Sequence, residues 1–164
     1  MDSKEIVRFV LIFIVAHIVA YWIAGIIAYF TLYQPFFEGE EALLSCFMRM
    51  RDDPELWPHV MKWQTQGQVL RAILFAVVML PFFTTWKEWK LSKRIWTVLV
   101  AYFILTHFAA TAPSGGNIEG FIYMRPEFVE DGFWKYQPEA IIHGLIMAGI
   151  LAKWGIRRRK EQIT

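Results

Sequence analysis

An all-α integral membrane protein is the fold class this sequence predicts, with four transmembrane helices in an up-down-up-down bundle beneath an ordered exoplasmic cap. Three observations lead there. Four long apolar stretches divide a chain of 164 residues, 56% of them hydrophobic. The segments between the stretches alternate in the sign of their charge. Each stretch also reaches the roughly 17 residues that a helix needs to cross a hydrocarbon core of about 30 Å.

The charge map sets the orientation. Segments 1–8, 87–94 and 153–164 hold eleven of the 17 Lys and Arg residues against four acidic ones, a local balance of +7, while the rest of the chain balances at −5. Cytoplasmic segments of membrane proteins concentrate Lys and Arg. Both termini and the short middle turn are therefore expected in the cytoplasm, in a multi-pass protein of the plasma (inner) membrane. The run Arg157-Arg158-Arg159-Lys160 follows the last stretch directly, so it reads as a stop-transfer and lipid-contact cluster, with no nucleic-acid partner.

Taken in order, the first span covers residues 9–33. It is too long for the apolar region of a signal peptide and no small-residue cleavage site precedes the polar loop, so an uncleaved anchor is expected. The loop 34–68 contains an amphipathic stretch, Glu40 to Met50, with Leu43, Leu44, Phe47 and Met48 on one helical face and Glu41 and Arg49 opposite. Asp53 then offers an N-cap, with Pro54 in the following first turn. Trp57 and Trp63 suit the headgroup level. Cys46, the sole cysteine, excludes an internal disulfide framework.

The second and third spans cover 69–86 and 95–112. After them, Pro113-Ser114-Gly115-Gly116-Asn117 is a dense turn signal, and Ile118 to Met124 has the aromatic and β-branched composition of a short strand or lid. Pro126 and Gly132 break the rest of the loop 113–138. The fourth span covers 140–156. Ala16, Ala20, Ala24 and Ala28 recur every fourth residue in the first span, as do Ala140, Gly144, Ala148 and Ala152 in the fourth. Small-residue stripes let membrane helices approach closely, which places the first and fourth helices side by side and antiparallel.

Ionisable groups inside spans are costly to bury and mark functional candidates. They are His17, Arg71, His107, His143 and, at the mouth of the fourth helix, Glu139. Counting from Arg8 and Lys153 at about 1.5 Å per residue puts His17 and His143 both about 14–15 Å from the cytoplasmic boundary. The same count puts His107 at about 20 Å and Arg71 at about 24 Å.

Three chemistries fit this set. His143 with His17 or His107 would supply the two axial ligands of a b-type haem in a redox protein, with Arg71 or Arg125 on the propionates. The three histidines with Glu139 would suit zinc, copper or iron. Without a metal, Arg71, Asn117, Glu119, Tyr123, Arg125 and Glu139 would line an outward pocket for a lipid, a quinone or another apolar ligand, with Ser114 beside them. No phosphate-binding loop, serine elbow or metalloprotease helix is present. The expected role is a non-catalytic membrane subunit or binding module, acting on partner membrane proteins, on copies of itself or on an apolar ligand. The haem protein is the alternative, and a small transporter or channel subunit the third.

Overall fold

The computed structural model describes residues 3–38, 49–109, 114–117, 121, 129–130 and 133–155, and among these every regular element is helical. Of the expected helix at Glu40 to Met50 only Arg49 and Met50 are described, and they are not helical. Cys46, the candidate strand at Ile118 to Met124 apart from Phe121, and Glu119, Tyr123 and Arg125 lie outside the described residues.

Helix α1 (Ser3–Ala28) continues through a π-turn (Tyr29–Tyr33) into the short α2 (Gln34–Phe37). Helix α3 (Trp57–Met79) passes through a 3₁₀ turn (Leu80–Phe82) into α4 (Phe83–Glu88). Pro81 lies in that turn, where its missing N–H forces the i→i+4 ladder to give way. Helix α5 (Leu91–Phe103) ends in a second π-turn (Ile104–Phe108), and α6 (Phe133–Ile150) in a third (Leu151–Gly155). The continuous stretches Ser3–Phe37 and Trp57–Glu88 are long and apolar enough to cross a membrane; the other described helices do not reach that mark.

Two boundaries differ from the sequence expectation. The second helix starts at Trp57, twelve residues before the apolar run, because Gln64 and Gln68 sit on the face turned to α1 and are paired there. Asp53 prepares this start: its carboxylate accepts the Glu55 and Leu56 N–H groups, each at 2.9 Å, and its carbonyl accepts the Trp57 N–H at 2.9 Å. The fourth helix starts at Phe133 and runs through Pro138. There the Gln137 side chain turns back to donate to the Phe133 carbonyl at 2.9 Å.

α1 packs against both α6 and α3, and α5 packs against α6. The alanine stripe of α1 is the contact surface: Ala16, Ala20, Ala24 and Ala28 are all buried. α6 runs antiparallel to α1, since His143 meets His17 while Glu139 meets Gly25, further along α1. The α6 stripe divides between two neighbours. A side chain at Gly144 would meet Leu99 and Tyr102, so this glycine serves the close approach of α5.

Toward the chain ends the core is apolar, formed by Phe9, Phe13, Phe83, Trp86, Val98, Met147 and Leu151. Phe9 packs on Phe13, Phe83 and Trp86 with ring centroids 4.8–6.1 Å apart. Arg94 closes this end. It is only 3% exposed, and its guanidinium donates to the carbonyls of Trp89 (2.9 Å), Lys87 (2.8 Å) and Ala152 (3.3 Å). Helix ends leave carbonyls without intrahelical partners, so one buried cation ties α4, α5 and the end of α6 together.

Candidate functional site

Helical spacing builds a polar seam between α1, α3 and α6. On α3, Gln64, Gln68 and Arg71 stand at i, i+4 and i+7 and share one face. On α1, His17 and Tyr21 are one turn apart, as are Glu139 and His143 on α6.

The histidines form the centre of the seam. His17 Nε2 is 3.1 Å from the Gln68 Oε1, and His143 Nε2 is 3.1 Å from His17 Nδ1. An amide oxygen only accepts, so His17 donates from Nε2, its Nδ1 is the acceptor, and His143 donates to it from Nε2. The chain of donors runs from α6 through α1 to α3. Both imidazoles are buried, and Tyr102 of α5 stacks on His143 at 4.4 Å between centroids with the rings 16° apart. One turn toward the loops, the Gln64 amide donates to the Tyr21 hydroxyl at 2.8 Å.

Glu139 continues the seam outward. Its Oε1 lies 3.9 Å from the point where a side chain at Gly25 would begin, which places the carboxylate in ordinary contact with α1. Beyond it stand Tyr33 and Tyr136, their rings 5.0 Å apart, both in the electrostatic field of Glu139. The Tyr33 hydroxyl is buried directly against the Glu139 carboxylate.

Arg71 and Glu139 do not pair: neither joins an ion pair among the described residues. Arg71 is exposed, and its charge acts instead on His17, His143 and Tyr102. The difference is axial. Gln68 meets His17, so Arg71, three residues on, lies level with the histidines or just past them toward the chain ends, and not outward of them as the residue count from Lys87 predicts. Glu139 reaches Gly25, about two turns outward of His17. Arg71 belongs to the α3 face beside the histidines, whereas Glu139 turns to Gly25 and the tyrosines.

His107 stands apart from the other two histidines. Its Nε2 donates to Gln137 Oε1 at 3.2 Å, and the Gln137 amide donates in turn to the Gly116 carbonyl at 2.6 Å. This second cluster pins the turn 114–117 to α6. Asn117 is buried in that turn, where its Oδ1 accepts the Ser114 N–H at 3.0 Å. A side chain at Gly116 would fall 2.5 Å from Tyr136 Cβ, so the turn sits directly on the helix backbone.

This geometry bears on the cofactor expectations. His17 and His143 bond directly to each other, and a haem held by both would require the rings to part around the macrocycle. His107 is engaged elsewhere, so the three histidines do not converge, and no group of three or more His, Cys, Asp or Glu side chains among the described residues is arranged to hold a metal. Gln64, Gln68, Tyr21, Tyr102 and Gln137 were not singled out from the sequence. The i, i+4, i+7 polar stripe of α3 was the available signal for the first two.

Compared with known proteins, the chain matches no protein-family model, no curated protein and no solved structure.

Proposed function

We propose that this chain is a four-span membrane protein of the plasma membrane, its helices forming an up-down-up-down bundle with both termini cytoplasmic, and that it serves as a non-catalytic binding subunit for an amphiphile with an anionic or carbonyl head. The apolar faces of α1 and α3, which leave Val15, Trp22, Ile26, Phe30, Leu74 and Val78 exposed, support a lipid-facing or subunit-facing surface. The polar seam supports a binding role, because ionisable groups at membrane depth are costly to keep without one.

One observation carries the reading. Arg71 is an exposed guanidinium on a helix apolar enough to span a membrane, it makes no ion pair with any described residue, and it stands beside a buried histidine pair. A phospholipid phosphate or a quinone carbonyl, with its tail along α3, supplies the missing acceptor.

The test is native mass spectrometry of the full chain in nanodiscs, with extraction and identification of whatever stays bound. Wild-type protein should retain phosphatidylglycerol over phosphatidylcholine, or retain a quinone, and Arg71→Gln should weaken that retention about fivefold, the equivalent of roughly 1 kcal/mol per basic side chain at a membrane surface. Equal retention by wild type and variant rejects the reading.

A further inference from the structure

In the membrane the seam has a second property, independent of Arg71: proton-carrying groups follow one another along it toward the loops and give way to apolar side chains toward the chain ends. Tyr33 and Tyr136 stand at its outer end, Glu139 follows one turn before His143, and Tyr21 and Tyr102 flank the His143 ring at 6.5 Å and 4.4 Å. Past the histidines, Phe9, Phe13, Met147 and Leu151 are fully buried and offer no polar side chain.

We propose that this seam is a proton-access path that joins the loop side of the membrane to the His17–His143 pair and ends there. Two details of the geometry carry it. The Tyr33 hydroxyl is buried and stands directly against the Glu139 carboxylate, within reach of a hydrogen bond to it. A hydroxyl both donates and accepts, so the phenol can pass a proton between the outer end of the seam and the carboxylate.

The second detail is the direction of the histidine bonds. His143 Nε2 and His17 Nε2 both carry hydrogens, and His17 Nδ1 is occupied by the bond from His143. His143 Nδ1 is the nitrogen left to accept. A proton taken up from water by Glu139 passes to His143 Nδ1; His143 releases its Nε2 proton to His17 Nδ1, and the carboxylate is regenerated. The charge then rests on His17, whose Nε2 proton remains held by Gln68. The groups facing the pair are Tyr21 from α1, Gln68 and Arg71 from α3, Tyr102 from α5 and Glu139 from α6. The same steps run in reverse return the proton to the loop side, so the path exchanges protons without storing them.

The proposal rests on the membrane reading but not on the amphiphile. The experiment is solid-state ¹⁵N NMR of histidine-labelled full chain in lipid nanodiscs, reading the exchange of the His17 and His143 N–H protons with water. Glu139→Gln should slow that exchange at least about tenfold, the lower range for loss of a positioned acid–base group, and Tyr33→Phe should slow it to a smaller extent. Glu139→Asp should retain most of the wild-type rate, and Lys62→Gln, on the exposed face of α3, all of it. The His17–His143 chemical shifts report whether each variant keeps the pair intact. If Glu139→Gln keeps the pair and the rate is unchanged, the proposal falls; if that variant does not fold, an unchanged rate in Tyr33→Phe overturns it equally. Vesicles loaded with a pH-sensitive dye should show no sustained proton flux, and a steady wild-type flux would refute the closed end. A chain that remains in solution without lipid removes the membrane reading and the path together.

Discussion

Toward the chain ends, Phe9, Phe13, Phe83 and Leu151 fill the space between the helices with carbon; toward the loops, Tyr21, Gln64, Glu139 and Tyr33 fill the corresponding space with groups that donate and accept protons. The two halves share helices and differ in what holds them. Aromatic edges and the Arg94 tie serve one half, and directed hydrogen bonds across three helices serve the other. Interhelical hydrogen bonds in membranes average only about 0.6 kcal/mol. On the proposed membrane reading, the polar half is therefore a weak source of stability for the groups it buries, and the proposed binding role would account for its composition.

That contrast can be broken by substitution. Phe13 is fully buried and packs edge-on against Phe9 and Phe75 at 5.5 Å and 5.4 Å. Phe13→Ala should cost ~3–5 kcal/mol through the cavity it opens, read as a large loss of thermal stability in detergent. His17→Leu removes two interhelical bonds of the seam and should cost only about 1–2 kcal/mol, while Gln68 and His143 lose their partner. If the histidine substitution destabilises as much as the phenylalanine one, the seam is a structural element and the comparison fails.

The smallest effect lies at the rim of the loop side. Glu38 accepts hydrogen bonds from the Tyr29 hydroxyl and, at 2.9 Å, from the Gln34 amide, and these hold its carboxyl below the usual carboxylate range. A carboxylate whose folded-state pKa is depressed contributes stability above its ordinary pKa and loses it as the pH falls through the depressed one. Tyr29→Phe should raise the Glu38 titration midpoint, observable by NMR, with no measurable change in stability at neutral pH because the group is exposed.

Much of the apolar half was legible in the sequence. The alanine stripe of α1 placed it against α6, and counting residues from Arg8 and Lys153 set His17 and His143 at one level, where they meet. The seam was less so. Hydropathy ends the second span at Val69, because Gln64 and Gln68 lower the average, yet their partners Tyr21 and His17 lie 43 and 51 residues away in the chain. Such pairing is a tertiary fact. Arg94 was hidden for a related reason: counted among cytoplasmic charges, it is in fact buried on three carbonyls that only the folded chain gathers. Arg71 was placed too far outward because its depth was counted from Lys87 through the 3₁₀ turn at Leu80–Phe82, whereas the pairing of Gln68 with His17 sets it level with the histidines and away from Glu139, which reaches Gly25.

The π-turn at Ile104–Phe108 has a consequence for tolerance to change in length. A π-turn carries one residue more than the α-turn it replaces, so deleting a single residue there would let α5 continue as regular helix. Each residue of α-helix turns the chain by about 100°. The π-turn absorbs that rotation for its one extra residue, so removing Leu105 would leave His107 facing Gln137 and the Ser114–Asn117 turn latched, with Tyr102 and everything before it in register with α6. One codon can thus be lost at this turn, but not in the regular helix before it, without unlatching the loop.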